Sequence, residues 1–471
     1  MEIFLPKSEI GIIGLSTMGR NMAMNIAEKG FLVSAYNRTA SKTNDLIKQW
    51  GSSKGILAFY QILDFVNSLR KPRKIILLIK PGKATDKVIN ELLPYLDKKD
   101  IIIDSGNSYF EDTIRREADL KKKGIFFTGM GISGGEQGAR FGPSMMFGGN
   151  KKAWRELRPI LEKIAANDFS CRPCIAYMGE NGGGHFVKMV HNGIEYAVMQ
   201  LLAETYWLLK QGLGLNNEKM ANIFSQWNKG KLESFLIQIT ARILSTRDKD
   251  GRYVLDQIID IAGSKGTGKW TSLEALEIGI PCPTLTSAVY ERYFSTFKKL
   301  RQKFARRYNL PIKKTNLSLN TIKEALYFAV VVAYTQGFEL IREAMPLYRW
   351  RINLVRLSQI WQGGCIIRSK ILLDFEKIFS QETILPHALL SNNFKPIVEK
   401  NLESLRNLSV AAIKASLPVP TFLSTLSYFD SLKSKDLPAN LIQAQRDFFG
   451  AHTFQKEVNG RSIHFHWPQV F

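Results

Sequence analysis

The segment KMVHNGIEY, residues 188–196, places polar and ionisable side chains in an otherwise apolar stretch. On a helix these residues share one face, at spacings i, i+3, i+4 and i+7: Lys188, His191, Asn192 and Glu195, with Tyr196 beside them. A lysine and a carboxylate two turns apart can serve as base and acid at opposite ends of a small substrate. Ordinary charged pairs on a solvent-exposed helix are the alternative.

A second stripe of the same helix is apolar and must face a core: Val187, Val190, Ile194, Val198 and Leu201. Three glycines, 182–184, precede the helix. A narrow polar face on an apolar helix is unusual for a surface element, because exposed helices carry broad polar faces. The pattern therefore favours a functional face.

A glycine-rich turn near the N-terminus, GLSTMG, predicts a dinucleotide site. It follows the strand-like EIGIIGL and opens a helical pattern, the context in which such a turn meets a pyrophosphate at a helix N-terminus. A purely structural glycine turn is the alternative. The residues of the turn that are predicted to contact the cofactor are Gly14, Ser16, Thr17, Met18 and Gly19.

The second strand-like segment ends in Asn37, Arg38 and Thr39. Sites for NAD usually have an acidic residue here for the ribose 2′-hydroxyl, whereas an arginine accommodates a 2′-phosphate. The sequence therefore predicts NADP rather than NAD.

The segment GSKGTGK, residues 263–269, fits most of a nucleotide-triphosphatase phosphate loop, but Trp270 stands where a magnesium-binding hydroxyl is needed. The preceding VLDQIIDIA has helical spacing, whereas a phosphate loop follows a strand. Triphosphate hydrolysis is not expected. Lys265 and Thr267 are suited to hold a monophosphate. A plain loop between helices is the alternative.

The elements that position these residues change in type along the chain. Over residues 1–180 short β-branched runs alternate with helical patterns, which predicts a Rossmann-like α/β domain with a mainly parallel sheet. Residues 181–436 show long helical periodicities and predict a large all-helical domain. Residues 437–471 lack a clear period and are expected to form an extended tail.

Composition indicates a cytoplasmic, soluble protein. The longest apolar run, ALYFAVVVAY, is too short to cross a bilayer, and the N-terminus has no leader pattern. Four scattered cysteines suit a reducing compartment. The net charge of +23 and the cluster FKKLRQKFARRYNLPIKK, residues 297–314, suggest either nucleic-acid binding or a solvated basic helix; the absence of a nucleic-acid-binding motif favours the helix.

The chain resembles the decarboxylating, NADP-dependent 6-phosphogluconate dehydrogenases of the pentose phosphate pathway. Matching segments follow one another in the family's order over nearly the whole chain: GLSTMGRNMAMN, NRT, DSGNSYFEDTIRR, SGGEQGARFGPSMM, GGGHFVKMVHNGIEY, KGTGKWT, GGCIIRS and LPANLIQAQRDFFGAHTF. The resemblance implies that the C3 hydroxyl of the substrate is oxidised, that the 3-keto acid loses CO2, and that the enediol becomes ribulose 5-phosphate. No metal is implied.

The resemblance also implies residue roles. Lys188 would be the general base and later acid at the C3 oxygen, and Glu195 the acid that protonates C1. The sugar acid would be held by Asn107, Ser133, Gly134, Gly135, His191 and Asn192. Its 6-phosphate would meet Tyr196, Lys265, Thr267, Arg292, and Arg446 and His452 from the tail of a second subunit. The cofactor would contact Asn37, Arg38, Thr39, Lys80 and Asn107 in addition to the glycine-rich turn. A homodimer follows from this arrangement.

Several positions depart from the family pattern without removing a residue assigned to chemistry: Ser105, Phe147, Ala197, Val198, Ser287 and Glu291. Ser105 replaces a glycine beside Asn107 and is expected to tilt it, since serine lacks the conformational freedom of glycine. Glu291 is expected to add negative charge close to Arg292.

Two other functions remain open on the sequence. A β-hydroxyacid dehydrogenase of related fold would use the same lysine without decarboxylation, although the predicted phosphate residues argue against it. A nucleic-acid-binding protein on a degenerate enzyme scaffold would use the basic cluster 297–314, and its binding would depend steeply on salt.

Overall fold

The computed structural model describes residues 7–50, 54–382 and 385–468. Its N-terminal part is built on an eight-stranded sheet of order β3-β2-β1-β4-β5-β6-β7-β8. The strands are β1 (Ile10–Ile13), β2 (Val33–Tyr36), β3 (Ile56–Phe59), β4 (Lys74–Leu77), β5 (Ile101–Asp104), β6 (Phe126–Ser133), β7 (Ser144–Gly149) and β8 (Ile175–Tyr177). The helices are α1 (Thr17–Glu28), α2 (Ala40–Trp50), α3 (Ile62–Asn67), α4 (Lys83–Leu92), α5 (Phe110–Lys122), α6 (Gly135–Phe141) and α7 (Lys151–Ile164).

The sheet is mainly parallel, as predicted. Strands β1 to β6 run parallel, β7 pairs antiparallel with β6, and β8 runs parallel to β7. The helices cover both faces, and each face has its own apolar core. This explains why the central strands are apolar throughout rather than alternating. Consequently the carboxyl ends of β1, β2, β4 and β5 lie along one edge, where a doubly wound sheet binds its ligand.

Three strands, β3, β7 and β8, were not expected. The sequence of β7, SMMFGG, contains glycines and methionines in place of β-branched residues, so it carries a weak strand signal. Its pairing with β6 is what keeps it extended. The expected strands coincide with β1, β2, β4, β5 and β6.

The part of the chain that follows the sheet is mainly helical, as predicted for the large second domain. Its helices are α8 (Gly183–Trp207), α9 (Asn217–Trp227), α10 (Phe235–Ser245), α11 (Thr267–Ile278), α12 (Pro283–Thr296), α13 (Lys298–Tyr308), α14 (Leu319–Tyr348), α15 (Leu354–Ile360), α16 (Ile371–Gln381), α17 (Lys395–Lys414), α18 (Pro420–Lys433) and α19 (Ala439–Gly450). Within the described residues, no helix is both long enough and apolar enough to cross a membrane.

Helix α8 is buried on nearly every side. It packs against β6 and β7 of the sheet and against α11, α12 and α14 of the helical part. A close crossing with α14 occurs at Gly337, where an added Cβ would lie 2.5 Å from the Ile194 side chain. Since α8 runs between the two parts of the molecule, its polar residues lie at the junction of the sheet with the helices.

Two segments differ from the expectation. The segment 254–262 was expected to be a helix, but only Val254–Gln257 forms a short 3-10 turn and the rest is irregular. The apolar side chains of Ile258, Ile259 and Ile261 are exposed in this chain, so no packed face stabilises a helix here. The basic cluster forms α13 only up to Tyr308.

The tail is only partly extended. It begins with α19 and then folds back, with a bridge between Phe454 and Ile463. Asp447 organises this turn, because its buried carboxylate accepts hydrogen bonds from the Thr453 and Phe465 amides and from the rings of His464 and Trp467. The tail therefore has a local structure of its own.

Candidate active site at the junction of the sheet and the helices

The glycine-rich turn after β1 has the geometry of an anion-binding loop. Gly14 has a φ of +99°, and an added Cβ would lie 2.5 Å from the carbonyl oxygen of Leu78. At Gly19 a Cβ would meet the carbonyl oxygen of Gly14 at 1.7 Å, so only glycine allows α1 to start this close to the strand. Ser16 precedes α1 without capping it through its side chain, which leaves the first amides of the helix available to a phosphate. The turn thus fits the pyrophosphate of a dinucleotide.

The other predicted cofactor residues surround this turn. Asn37 follows β2, and its side-chain oxygen accepts the Leu15 amide at 3.0 Å, which ties the end of β2 to the turn. Arg38 and Thr39 are exposed beside it. Lys80 follows β4 and Asn107 follows β5, and both side chains are exposed. Neighbouring parallel strands therefore bring these residues to one edge of the sheet.

The catalytic candidates lie on α8, facing the end of β6. Lys188 is 7% exposed. An added Cβ at Gly131 would lie 2.3 Å from the Lys188 Cβ, so the glycine in β6 creates the space that this lysine occupies. The apolar stripe predicted for α8 is buried, as expected. The lysine is thus held within the protein, not on a solvent-facing surface.

A chain of hydrogen bonds fixes the ring of His191. Asn192 donates from Nδ2 to the Thr267 hydroxyl at 2.9 Å, so its Oδ1 is the atom that faces His191 Nδ1 at 3.1 Å. Nδ1 must then carry the proton, and Nε2 accepts the Ser133 hydroxyl at 3.0 Å. Lys188 Nζ lies 3.4 Å from the same Nδ1. A neutral amine can accept from this N–H, whereas an ammonium cannot.

Burial shifts the titration of all three groups. It lowers the pKa of Lys188, although the nearby Glu195 acts in the opposite direction. Burial, followed by the charge of Lys188, holds the pKa of His191 well below its usual value. Burial raises the pKa of Glu195, against the effects of Lys188 and Arg292. The Glu195 carboxylate lies 3.9 Å from His191 Nδ1. Burial therefore shifts the amine towards its uncharged form and the carboxyl towards its protonated form.

A basic, hydroxyl-rich subsite lies one turn further along α8. The Arg292 guanidinium stacks 4.2 Å from the centre of the Tyr196 ring and donates to the Gly263 carbonyl at 2.8 Å. The Tyr196 hydroxyl lies 3.2 Å from Ser264 Oγ. Gly266, with a φ of +93°, precedes α11, and Thr267 is its first residue. Lys265 is exposed on this loop. These contacts bring the predicted phosphate residues of α8, α11 and α12 together.

Sequence reasoning missed the loop between α15 and α16. The Ile366 amide donates to Ser133 Oγ at 3.3 Å, and an added Cβ at Gly134 would lie 2.5 Å from the Gly364 carbonyl oxygen. Gly134 and Gly135 have positive φ values of +115° and +61°. Cys365 is buried near Lys188. The GGCIIRS segment was recognised as matching the family, and its glycine pair was the available signal for a close approach.

Arg446 and His452, which were predicted to bind the phosphate of a partner subunit, make their contacts within the tail of this chain. Arg446 donates to Gln443 on its own helix, and the His452 and Phe449 rings meet edge to face, with their centroids 5.9 Å apart. Both side chains are exposed.

Most positions at which the sequence departs from the family pattern fit the structure without strain. Ser105 lies outside the left-handed region, so the expected tilt of Asn107 has no backbone cause at this position. Phe147 is fully buried in β7 and packs on Trp154. Burial raises the pKa of Glu291, with Arg301 as the opposing charge, and the expected effect of Glu291 on Arg292 stays a prediction. Ala197 and Val198 are core residues, and nothing in the structure explains Ser287.

Family models match both parts of the chain. The "NAD binding domain of 6-phosphogluconate dehydrogenase" matches residues 9–179, and the "6-phosphogluconate dehydrogenase, C-terminal domain" matches residues 184–467.

Curated relatives are similar over their full length. The decarboxylating 6-phosphogluconate dehydrogenase of Lactococcus lactis subsp. lactis is 45% identical, with 98% of this chain and 99% of the relative covered. The NADP(+)-dependent, decarboxylating enzyme of Bacillus subtilis is 44% identical, with 98% and 100% covered.

A solved structure agrees with these matches. The Plasmodium falciparum 6-phosphogluconate dehydrogenase, described in its apo form and with NADP+ and 6-phosphogluconate, superposes with a TM-score of 0.94 at 41% identity, covering 98% of this chain and 100% of that one. The resemblance, the fold class and the choice of NADP are confirmed. The chain belongs to the family of the decarboxylating, NADP-dependent 6-phosphogluconate dehydrogenases.

Proposed function

We propose that this chain converts 6-phosphogluconate to ribulose 5-phosphate and CO2 with reduction of NADP, using Lys188 as base and Glu195 as acid. The observation that carries the assignment of roles is the buried arrangement on α8. An amine with a lowered pKa faces a neutral imidazole 3.4 Å away, and a carboxyl with a raised pKa follows two turns later. Each group is biased towards the protonation state that its role requires.

In the first step Lys188 removes the proton of the C3 hydroxyl as the C3 hydrogen leaves as hydride. NADP, when bound, accepts that hydride. Burial favours the neutral form of Lys188 before the reaction, and the neutral His191 ring places no second positive charge beside it. After the proton transfer the amine is an ammonium, enclosed with little access to water.

In the second step the 3-keto acid loses CO2, and the electron pair of the broken bond moves towards the C3 oxygen. The Lys188 ammonium stabilises this developing negative charge and returns the proton to the oxygen. Glu195, whose pKa burial raises, then donates a proton to C1 of the enediol, while the neutral Lys188 takes back the proton of the enediol hydroxyl, so that this oxygen becomes the carbonyl of ribulose 5-phosphate. Lys188 thus handles the proton of the C3 oxygen, and Glu195 supplies the proton that is placed on C1.

The binding roles that we propose divide the substrate between two sets of side chains. Asn107, Ser133, Gly134, Gly135, His191 and Asn192 hold the sugar acid, and Tyr196, Lys265, Thr267 and Arg292 hold the phosphate. The hydrogen bond from Asn192 to Thr267 supports this division by joining the two sets across α8 and α11, and the Arg292 guanidinium over the Tyr196 ring joins two members of the phosphate set across α8 and α12.

We further propose a cytoplasmic homodimer in which Arg446 and His452 complete the phosphate site of the partner. The exposed apolar side chains of α19, which include Leu441, Ile442 and Phe449, support a tail that packs on another subunit. In this proposal residues 1–180 bind NADP, residues 181–436 bind substrate and form the dimer, and residues 437–471 reach the partner. We expect no metal to take part.

The test is the absorbance of NADPH formed by the purified protein with 6-phosphogluconate and NADP, together with measured CO2. Production of both in equal amounts supports the proposal. NADPH formed without CO2 would instead indicate a simple hydroxyacid dehydrogenase. If neither product forms and RNA binds with steep salt dependence, the nucleic-acid hypothesis is favoured.

A further inference from the structure

Two cofactor loops of the sheet domain contact each other directly. One follows β4 and carries Lys80, and the other follows β5 and carries Asn107. The Ser105 amide donates to the Leu77 carbonyl at 2.9 Å. An added Cβ at Gly106 would lie 3.1 Å from the Ile79 carbonyl oxygen. Neither loop can move far without affecting the other.

A buried carboxylate holds the second loop on both sides of Asn107. Asp104 is fully buried at the end of β5. It accepts the Gly106 amide at 3.0 Å through one oxygen and the Ser108 hydroxyl at 2.7 Å through the other. These two contacts fix the residues that immediately precede and follow Asn107, and so they set the direction in which its side chain leaves the sheet.

A buried arginine links that carboxylate to the first loop. Arg116, on α5, is 2% exposed, and its guanidinium reaches Asp104 at 3.4 Å. It also donates to the Gly82 carbonyl at 3.1 Å, two residues after Lys80, and to Asp86 on α4 at 2.8 Å. One planar group thus contacts both loops and the helix that follows the first. Charged hydrogen bonds away from water are strong and directional, which suits such a role.

We propose that Arg116 is a positioning residue for the cofactor, which acts through Asp104 and Gly82 to hold Asn107 and Lys80 in the arrangement that binds NADP. The inference rests on the proposed function only in taking these two residues as cofactor contacts. Arg116 itself is buried behind the loops, so the role is indirect.

The test uses Arg116→Gln, with Arg115→Gln as the matched control. Arg115 is the neighbouring arginine and also contacts Asp86, at 3.0 Å, but its side chain is half exposed and makes no described contact with Asp104 or Gly82. The dissociation constant of NADP, measured by calorimetry without turnover, is expected to rise about 10- to 100-fold in Arg116→Gln and less than about 3-fold in the control. Binding of 6-phosphogluconate should change much less, because Asn107 is the one proposed substrate contact that lies on these two loops.

Restoring a positive charge at position 116 distinguishes a positioning role of Arg116 from a general loss of protein stability. Arg116→Lys should recover part of the NADP affinity, and added guanidinium should recover part of it in Arg116→Ala. Equal losses of affinity for NADP and 6-phosphogluconate, in proportion to a lowered Tm, would overturn the proposal. NADP affinity equal to that of the control would overturn it as well.

A second variant covers the case in which Arg116→Gln does not fold. Ser108→Ala removes only the hydroxyl that donates to Asp104, and it is expected to weaken NADP binding by about 3- to 10-fold. Unchanged NADP binding in a folded Ser108→Ala protein counts against the proposal. Because NADP binding is measured directly, a wild-type protein that binds NADP without oxidising 6-phosphogluconate would refute the proposed function and leave this inference standing.

Discussion

At the scale of single residues, burial keeps the His191 ring neutral beside Lys188. The ring donates from Nδ1 towards Asn192 and Lys188 and accepts at Nε2 from Ser133. An imidazolium in this place would repel the lysine after its protonation. Burial prevents this by lowering the pKa of His191, so only one positive charge develops in the pocket.

Replacing Lys188 with Ala is expected to lower kcat by about a hundred-fold or more, the scale of general acid–base catalysis. Steady-state kinetics with saturating 6-phosphogluconate and NADP measure the effect. Lys219→Ala, which removes an exposed lysine of α9, is the control and should leave kcat unchanged. A variant at position 188 that keeps the full rate would exclude the lysine from the mechanism.

The pH profile of kcat/KM should show two limbs. Activity is lost as pH falls through the pKa of Lys188, which burial lowers from 10.5, because the base becomes protonated. It is also lost as pH rises through the pKa of Glu195, which burial raises from 4.5, because the acid loses its proton. The two groups interact, so each limb reports the coupled pair.

Glu195→Gln tests the assignment of these limbs. The variant should be slower and lack the alkaline limb. Its acid limb should move to lower pH, since the Glu195 carboxylate raises the pKa of Lys188. A profile with the same two limbs as the wild type would show that another group is the acid.

We expect Arg38 to decide the choice between NADP and NAD. Arg38→Ala should weaken NADP binding by about 10-fold or more and leave NAD binding nearly unchanged, because only NADP carries the 2′-phosphate. Dissociation constants for both cofactors provide the measurement. Equal losses for the two would refute the assignment of Arg38 to that phosphate.

At the scale of elements, α8 is joined to α18 by a buried acid. Glu204 accepts the Thr421 and Phe422 amides at 3.0 and 3.2 Å, and so it caps the first turn of α18. Burial outweighs these bonds and raises its pKa to about 7. The folded state therefore holds a proton at pH values where the unfolded state, at 4.5, has released it.

The free energy of unfolding should depend on pH because the pKa of Glu204 differs between the folded and unfolded states. The stabilisation that Glu204 contributes is fully present below its pKa in the unfolded state, 4.5, and is lost as pH rises through its pKa in the folded state, about 7. Glu204→Gln should remove up to about 3 kcal/mol of this pH dependence. Urea unfolding at acidic and alkaline pH measures it, and Glu218→Gln, an exposed acid of α9, is the control. An unchanged pH dependence would place the pKa of Glu204 near its ordinary value.

At the scale of the whole molecule, part of the basic cluster is paired with an acid near the candidate active site. Two cations near the start of α13, Lys298 and Arg301, pair with Asp260, whose loop leads to Lys265. The exposed cations further along α13 form the solvated basic helix that the sequence favours. Its positive field would attract an anionic substrate and cofactor.

The proposed dimer gives a complementation prediction. In a heterodimer of Lys188→Ala and Arg446→Ala, one site carries both substitutions and the other is intact. Denaturing and refolding the two inactive variants together at equal amounts should restore about a quarter of wild-type activity. Each variant refolded alone is the control. No recovery would mean that the tail acts within its own subunit.

The sequence by itself determined the features that depend on local order. Helical spacing put Lys188, His191, Asn192 and Glu195 on one face, and a glycine pattern after an apolar strand indicated the nucleotide turn. Both can be read along the chain because side-chain direction repeats with the period of the element. The alternation of strands and helices gave the fold class for the same reason.

Only the tertiary structure decided the contacts between residues distant in the chain. Examples are the Ile366 amide on Ser133, the stacking of Arg292 on Tyr196, and Arg116 between two loops. These depend on how separate elements pack, and β7 is extended only through its pairing with β6. Burial likewise shifts the pKa values of the site residues, and the period of the sequence does not reveal burial. On an isolated helix Lys188 would be in water, whereas the packed protein shields it from water.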